Sequence, residues 1–202
     1  MPATTRAQRR EETVRRILDS AWELSRDHGL TGWTLRDLGA AVGMRAPSLY
    51  VYAGSKNALW DLMFADGYRA LLARIETTAR PDDPLEVVRV AARTFVAFAA
   101  EDASRFQLLF QFTAPGFEPS AESMELAGAA LDALVGVLRD AGVRDPSDID
   151  LWTALLTGLA SEQVSNDPGG DRWLRLVDRA VDRLLPATGR TRPATRRTTS
   201  RR

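Results

Sequence analysis

The residues Thr34-Leu35-Arg36-Asp37-Leu38-Gly39-Ala40-Ala41-Val42-Gly43-Met44-Arg45-Ala46-Pro47-Ser48-Leu49-Tyr50-Val51-Tyr52-Ala53-Gly54-Ser55-Lys56 carry the signals that set the architecture. A threonine followed three positions later by an acid is a capping box, so Thr34 and Asp37 open a short helix. Gly43 closes it, because the tight turn there needs a residue comfortable at positive φ. Pro47 suits the first turn of another short helix, running to about Tyr52. Two short helices joined at Val42-Gly43-Met44 have the dimensions of a helix-turn-helix. Gly39 falls at their crossing point, where a small side chain lets the backbones approach, and Leu38 and Leu49 can fill the space between. The second helix of such a pair enters the major groove, about 12 Å wide, with its N-terminal residues at base edges. That points to Arg45, Ala46, Pro47 and Ser48 as base-facing residues, with Arg45 able to hold guanine in a bidentate contact.

The same helical period continues on both sides of this stretch. Upstream, Val14, Ile17, Leu18, Ala21 and Leu24 form one apolar stripe, ending near His28-Gly29. Arg6, Arg9 and Arg10 precede it as an N-terminal arm able to reach DNA or as a merely solvated terminus. Downstream, Ser55 caps a long helix carrying Leu59, Leu62, Met63, Leu71, Leu72 and Ile75, which ends before Pro81. Asp83-Pro84-Leu85-Glu86 starts the next. Ser104 and Gln107 read as a further capping box before a short aromatic helix. Prolines 115 and 119 break the chain, and helix resumes from 120 to about 141, from 146 to about 166, and from 171 to 185. No period-two run typical of a strand lasts five positions. The expectation is an all-α protein of about nine helices.

Composition narrows the chemistry. The 202 residues are 45% hydrophobic and 27% charged, as globular proteins are. There is no cysteine, and His28 is the only histidine, which removes thiolate chemistry, multi-histidine metal sites and histidine-based triads. Lys56 is the sole lysine and lacks the glycine spacing of a phosphate loop. No catalytic residue, metal or cofactor is therefore expected, and the protein is read as a non-enzyme. The longest apolar run, Phe95 to Ala100, falls far short of the roughly 18–20 residues that span a bilayer. Without an apolar core near its N-terminus the chain reads as soluble and cytoplasmic, with no membrane partner. The net charge of zero hides segregation: residues 1–56 carry +3, residues 57–186 carry −9 and residues 187–202 carry +6. One part suits a polyanion and another does not.

Residues 10–56 resemble the DNA-binding domain of the tetracycline-repressor (TetR) family, above all in Thr34-Leu35-Arg36-Asp37-Leu38-Gly39, Gly43, Ser48-Leu49-Tyr50 and Ser55-Lys56. The resemblance implies a helical homodimer that binds palindromic double-stranded operators and releases them when a small molecule enters the C-terminal domain. By position it places Thr34, Tyr50, Tyr52 and Lys56 on phosphates and Arg45 to Ser48 on bases. Where the family often has an aromatic and a histidine after the Tyr50 position, this chain has Val51 and Tyr52. Ala53 and Gly54 likewise replace a frequent phenylalanine and a variable residue. A second segment, residues 151–160, is similar to the tryptophan–histidine–glycine stretch of one TetR C-terminal subgroup, with Thr157 in the histidine's place.

The expected organisation is a DNA-binding domain at 1–56, with a connecting helix starting near 55, an effector-binding and dimerisation domain at 57–186, and a disordered arginine- and threonine-rich tail at 187–202. The tail can add sequence-independent affinity for DNA or simply solubilise. In this architecture the aromatic concentration after residue 94 commonly surrounds an apolar cavity. Phe95, Phe98, Phe106, Gln107, Phe110, Gln111, Trp152 and Thr157 are its expected lining, unless they are ordinary core. The last two helices are apolar around much of their circumference. Leu155, Gly158, Leu159, Trp173, Val177, Ala180, Val181 and Leu184 are the expected dimer interface, the alternative being burial in the subunit's own core. The leading function is a ligand-released transcriptional repressor. The alternative is a DNA-binding regulator or architectural factor without small-molecule control.

Overall fold

A computed structural model describes residues 5–185; the tail expected at 187–202 lies outside the described residues, as does residue 186. Nine α-helices are present among them. The first is α1 (Arg6–His28), opened by a capping box in which Thr5 accepts from the Gln8 N–H and the Gln8 side chain accepts from the Thr5 N–H. Because this box starts the helix at Arg6, Arg6, Arg9 and Arg10 belong to α1 rather than to an extended arm. Ile17, Leu18, Ala21, Trp22 and Ser25 turn inward from it.

The short pair follows as α2 (Leu35–Val42) and α3 (Ala46–Tyr50). Thr34 and Asp37 form the expected capping box, and Gly43 sits in the left-handed region at φ 68° with its N–H on the Ala40 and Gly39 carbonyls. A Cβ on Gly39 would lie 3.0 Å from the Met44 carbonyl oxygen and 4.0 Å from Leu49, so only hydrogen fits the crossing comfortably. Leu38 and Leu49 are buried there. Helix α3 stops at Tyr50, leaving Tyr52 in the turn that leads to Ser55.

The remaining helices build the second layer. Ser55 caps α4 (Lys56–Thr77), and Asp83 caps α5 (Pro84–Ala100) by accepting from two backbone N–H groups. Next come α6 (Ala103–Phe106), continuing as a π-helical turn over Gln107–Gln111, then α7 (Ala121–Asp140), α8 (Pro146–Asn166) and α9 (Val177–Leu184). Asp102, not Ser104, caps α6, accepting from the Arg105 N–H. The Ser104 hydroxyl instead donates to the Ser25 carbonyl 2.7 Å away, which pins α6 to α1. The segment expected as one helix from 171 opens with a turn and a 3₁₀ turn, Leu174–Leu176, before α9. Helix α4 packs on α7, and α5 packs on α8 and α9, around a core that includes Met63, Phe64, Val96, Phe98, Leu138, Trp152 and Leu156. Each large side chain so buried contributes roughly 1.5–3 kcal/mol.

Helix α9 is bound to its own subunit. Val177 and Val181 are buried against the core, as is Leu159 on α8. Arg93 pairs with Glu86 and Asp178, and Arg89 pairs with Asp182, stitching α5 to α9. These three apolar positions, expected at a dimer interface, are internal core. Leu155, Trp173, Ala180 and Leu184 are half-buried, and Gly158 is exposed.

Candidate nucleic-acid interface and the cavity behind it

At the start of α3 the side chains of Arg45, Pro47 and Ser48 are exposed, and Tyr50 at its end is 52% exposed. Arg45 is the N-cap residue, extended at φ −70°, and Leu49 holds the helix down from beneath. The backbone of Ala46 begins the helix. Tyr52 is half-buried, with the Arg10 guanidinium 5.7 Å from its ring centre.

Two residues expected on phosphates are otherwise engaged. The Thr34 hydroxyl donates to the Asp37 carboxylate at 2.7 Å while accepting from the Asp37 N–H, so the capping box uses its proton. Lys56 turns inward. Its ammonium donates to the Trp33 and Thr31 carbonyls and lies 4.4 Å and 5.2 Å from the ring centres of Trp33 and Trp60. Burial pulls its pKa below the ordinary lysine value, against the opposing charge of Asp37. The attraction of a cation to two aromatic faces and two carbonyls explains the inward turn. Lys56 thereby ties the α1–α2 loop to the start of α4.

The helix-turn-helix unit is fastened to the rest at defined points. On α4, Asp66 accepts from Arg15 at 2.8 Å and from the Trp22 indole at 3.0 Å. At the N-cap of α6, the buried Asp102 pairs with Arg26 at 2.9 Å. The first turns of α4 also hold the loop before α7. Asn57 donates to the Gly116 carbonyl at 3.1 Å, Trp60 meets Phe117 edge-on, and Asp61 accepts from the Ser120 N–H and hydroxyl at 2.8 Å and 2.9 Å. Ser120 is itself the N-cap of α7. Hence α7 and α4 share a clasp, and α4 adjoins the helix-turn-helix.

Between α4, α5, the π-turn, α7 and α8 lies a cavity of about 280 Å³. Phe95, Phe110, Trp152 and Thr157 line it as expected. Phe98, Phe106, Gln107 and Gln111 do not. Phe98 lies under the Arg105 guanidinium, 3.8 Å from its ring centre, and Phe106 packs behind Phe110 at 5.7 Å. Gln111 is exposed and reaches Ser161, and Gln107 is half-buried on the π-turn outside the cavity. The π-turn rotates this segment away from ordinary helical phase, which no periodic pattern reveals. Sequence reasoning missed Tyr68, Leu71, Met124, Gly128, Leu131 and Leu134. The α7 members recur at helical spacing, a signal legible in the sequence but lying outside the aromatic concentration. The Tyr68 hydroxyl donates to the Leu109 carbonyl at 3.2 Å, and burial pushes its pKa up to about 12.

Comparison with known proteins bears on the helix-turn-helix directly. Residues 17–63 match the family described as bacterial regulatory proteins, tetR family. The HTH-type transcriptional regulator Rv1816 of Mycobacterium tuberculosis is 27% identical over 163 residues, covering 74% of this chain and 69% of the relative. Among solved structures, the TetR family transcriptional regulator PfmR from Thermus thermophilus superposes with a TM-score of 0.63 at 23% identity, over 87% of this chain and 100% of that one. The regulator FadR from Bacillus subtilis, solved in complex with stearoyl-CoA, gives 0.63 at 14% identity over 85% and 97%. These two likenesses concern the fold. The family match lies on the helices whose geometry suits a major groove, so residues 17–63 form a helix-turn-helix unit similar to that of tetR-family regulatory proteins.

Proposed function

We propose that the protein is a homodimeric repressor that a small, largely apolar effector releases from a palindromic operator. The observation that carries this reading is the cavity whose α7 wall is clasped to α4 through Asp61 and Ser120. An effector that displaces α7 pulls on the first turns of α4, and α4 holds α1 through Asp66 and the α1–α2 loop through Lys56. Two recognition helices must sit about one turn of DNA apart, roughly 34–36 Å, so a small swing of α4 in each subunit forfeits a half-site.

In this reading Arg45, Ala46, Pro47 and Ser48 face bases, and Tyr50 and Tyr52 hold phosphates. Thr34 contributes through its cap and Lys56 through positioning. Residues 1–56 form the DNA-binding domain and 57–186 the regulatory one, acting in the cytoplasm. Dimerisation uses the outer face of α8, where Leu151 and Gly158 are exposed and Leu155 is half-buried, with Trp173, Ala180 and Leu184 alongside. Small residues there favour close helix contact across a two-fold axis. Trp152 and Gly158 also carry the similarity to the tryptophan–histidine–glycine subgroup.

FadR, an acyl-CoA-bound neighbour in fold, makes acyl-CoA an effector class to weigh for this chain. The release mechanism is independent of that class. It is tested by linkage: a compound that stabilises the protein against heat must lower operator affinity, and operator must lower the compound's affinity by the same factor. If stabilising compounds leave operator binding untouched, the protein is a regulator without small-molecule control.

A further inference from the structure

The cavity's chemistry specifies more than its existence, given the effector reading above. None of its fourteen lining residues carries a charge. On its α7 wall Met124 is 46% and Leu131 48% exposed. Helix α7 has Glu122, Glu125 and Asp132 and no basic residue before Arg139, and α8 has Asp148, Asp150 and Glu162 and no basic residue at all. A negative field over an apolar opening repels anions, and desolvating a carboxylate or phosphate inside without a cationic partner is strongly unfavourable. Hydrogen-bonding capacity in the wall is equally limited. Tyr68 already donates to Leu109 and Thr153 to Ile149, which leaves the Thr157 hydroxyl as the side-chain donor of the wall.

We propose that the cavity takes an uncharged hydrophobic compound with one hydrogen-bond acceptor, and that it rejects carboxylates and CoA thioesters. The volume of about 280 Å³ accommodates about nine non-hydrogen atoms, taking the roughly 30 Å³ that each water molecule occupies in the liquid. The acceptor meets the Thr157 hydroxyl, and the hydrophobic body lies among Phe95, Phe110 and the α7 wall.

The test uses the full chain with three probes of one chain length: octan-2-one, octanoate and octanoyl-CoA. Calorimetric titration and thermal unfolding are expected to show saturable binding of octan-2-one. Octanoate should bind at least tenfold more weakly, and octanoyl-CoA no better than CoA itself. Thr157→Val should weaken the ketone about three- to tenfold, the range of one hydrogen bond. Gly128→Leu should abolish ketone binding by filling the cavity. It should leave the fold intact, because a Cβ at Gly128 meets nothing within 4 Å and leucine favours helix. Octanoate or octanoyl-CoA binding as tightly as the ketone, ketone binding that survives Gly128→Leu, or no ketone binding would each overturn the proposal. Operator affinity measured alongside separates the two readings. A ketone that binds without releasing DNA retains the ligand class and defeats the release mechanism. Release by octanoyl-CoA alone does the reverse.

Discussion

Arg45 and the Thr34–Asp37 pair show how differently a residue type and its neighbours weigh in this chain. Arg45 is exposed at the N-cap of α3, the position from which a guanidinium reaches a guanine edge. Arg45→Ala is expected to relax preference at one position in each half-site, at a cost of roughly 1–3 kcal/mol of discrimination. Competition binding with single-base operator variants measures it; unchanged preference at every position removes Arg45 as a reader. Asp37 acts through its cap instead. The Thr34 hydroxyl and N–H, donating to its carboxylate, hold its pKa below the ordinary carboxylate range. Because the folded value lies below the unfolded one, the cap's contribution is complete above the unfolded pKa and is lost as pH falls through the folded pKa. Thermal unfolding of wild type and Asp37→Asn between neutral pH and strong acid should show a difference in Tm that is largest at neutral pH and closes in acid. A difference independent of pH would show that the carboxylate's charge is not what holds the cap. Lys56 could not have been placed from its spacing alone. Its cage consists of Trp33, Trp60 and two carbonyls, brought together only when the α1–α2 loop meets α4.

Among the elements, local chemistry made the start of the chain readable. The Thr34 box, Gly43 at positive φ and the Gly39 crossing each follow from a rule acting within about ten residues. The π-turn at Gln107–Gln111 and the split before α9 follow from tertiary packing, so periodicity misassigned the first and smoothed over the second. Helix α9 illustrates the same limit: an apolar stripe states that a face is buried, not against what. The decisive inter-element joint, Asp61 with Ser120, joins residues 59 apart in sequence and carries no motif. Asp61→Ala is expected to leave effector affinity within about twofold while cutting effector-induced operator release several-fold, since coupling energies of this kind are typically about 1–3 kcal/mol. Titrating operator release by effector in both proteins checks this; equal release would show that the clasp does not transmit.

For the whole molecule, charge was the most informative property in one dimension. A basic N-terminal unit and an acidic segment over residues 57–186 suit one part that meets a polyanion and another that does not, and the acidic residues of α7 and α8 extend that logic to the effector. The cavity's existence was legible from aromatic content, but half of its expected lining was not. Lining depends on which way Phe98 and Phe106 turn, and that is decided by Arg105 stacking and by the π-turn. The proposed repression requires that two copies of α3 read a two-fold symmetric operator. The deciding experiment is selection of bound sequences from random duplex DNA by the purified protein, at moderate salt where sequence-independent binding fades. An inverted repeat whose half-site centres lie about one helical turn apart is the expected outcome. Enrichment of no motif, or of a single unrepeated half-site, would contradict paired reading by α3.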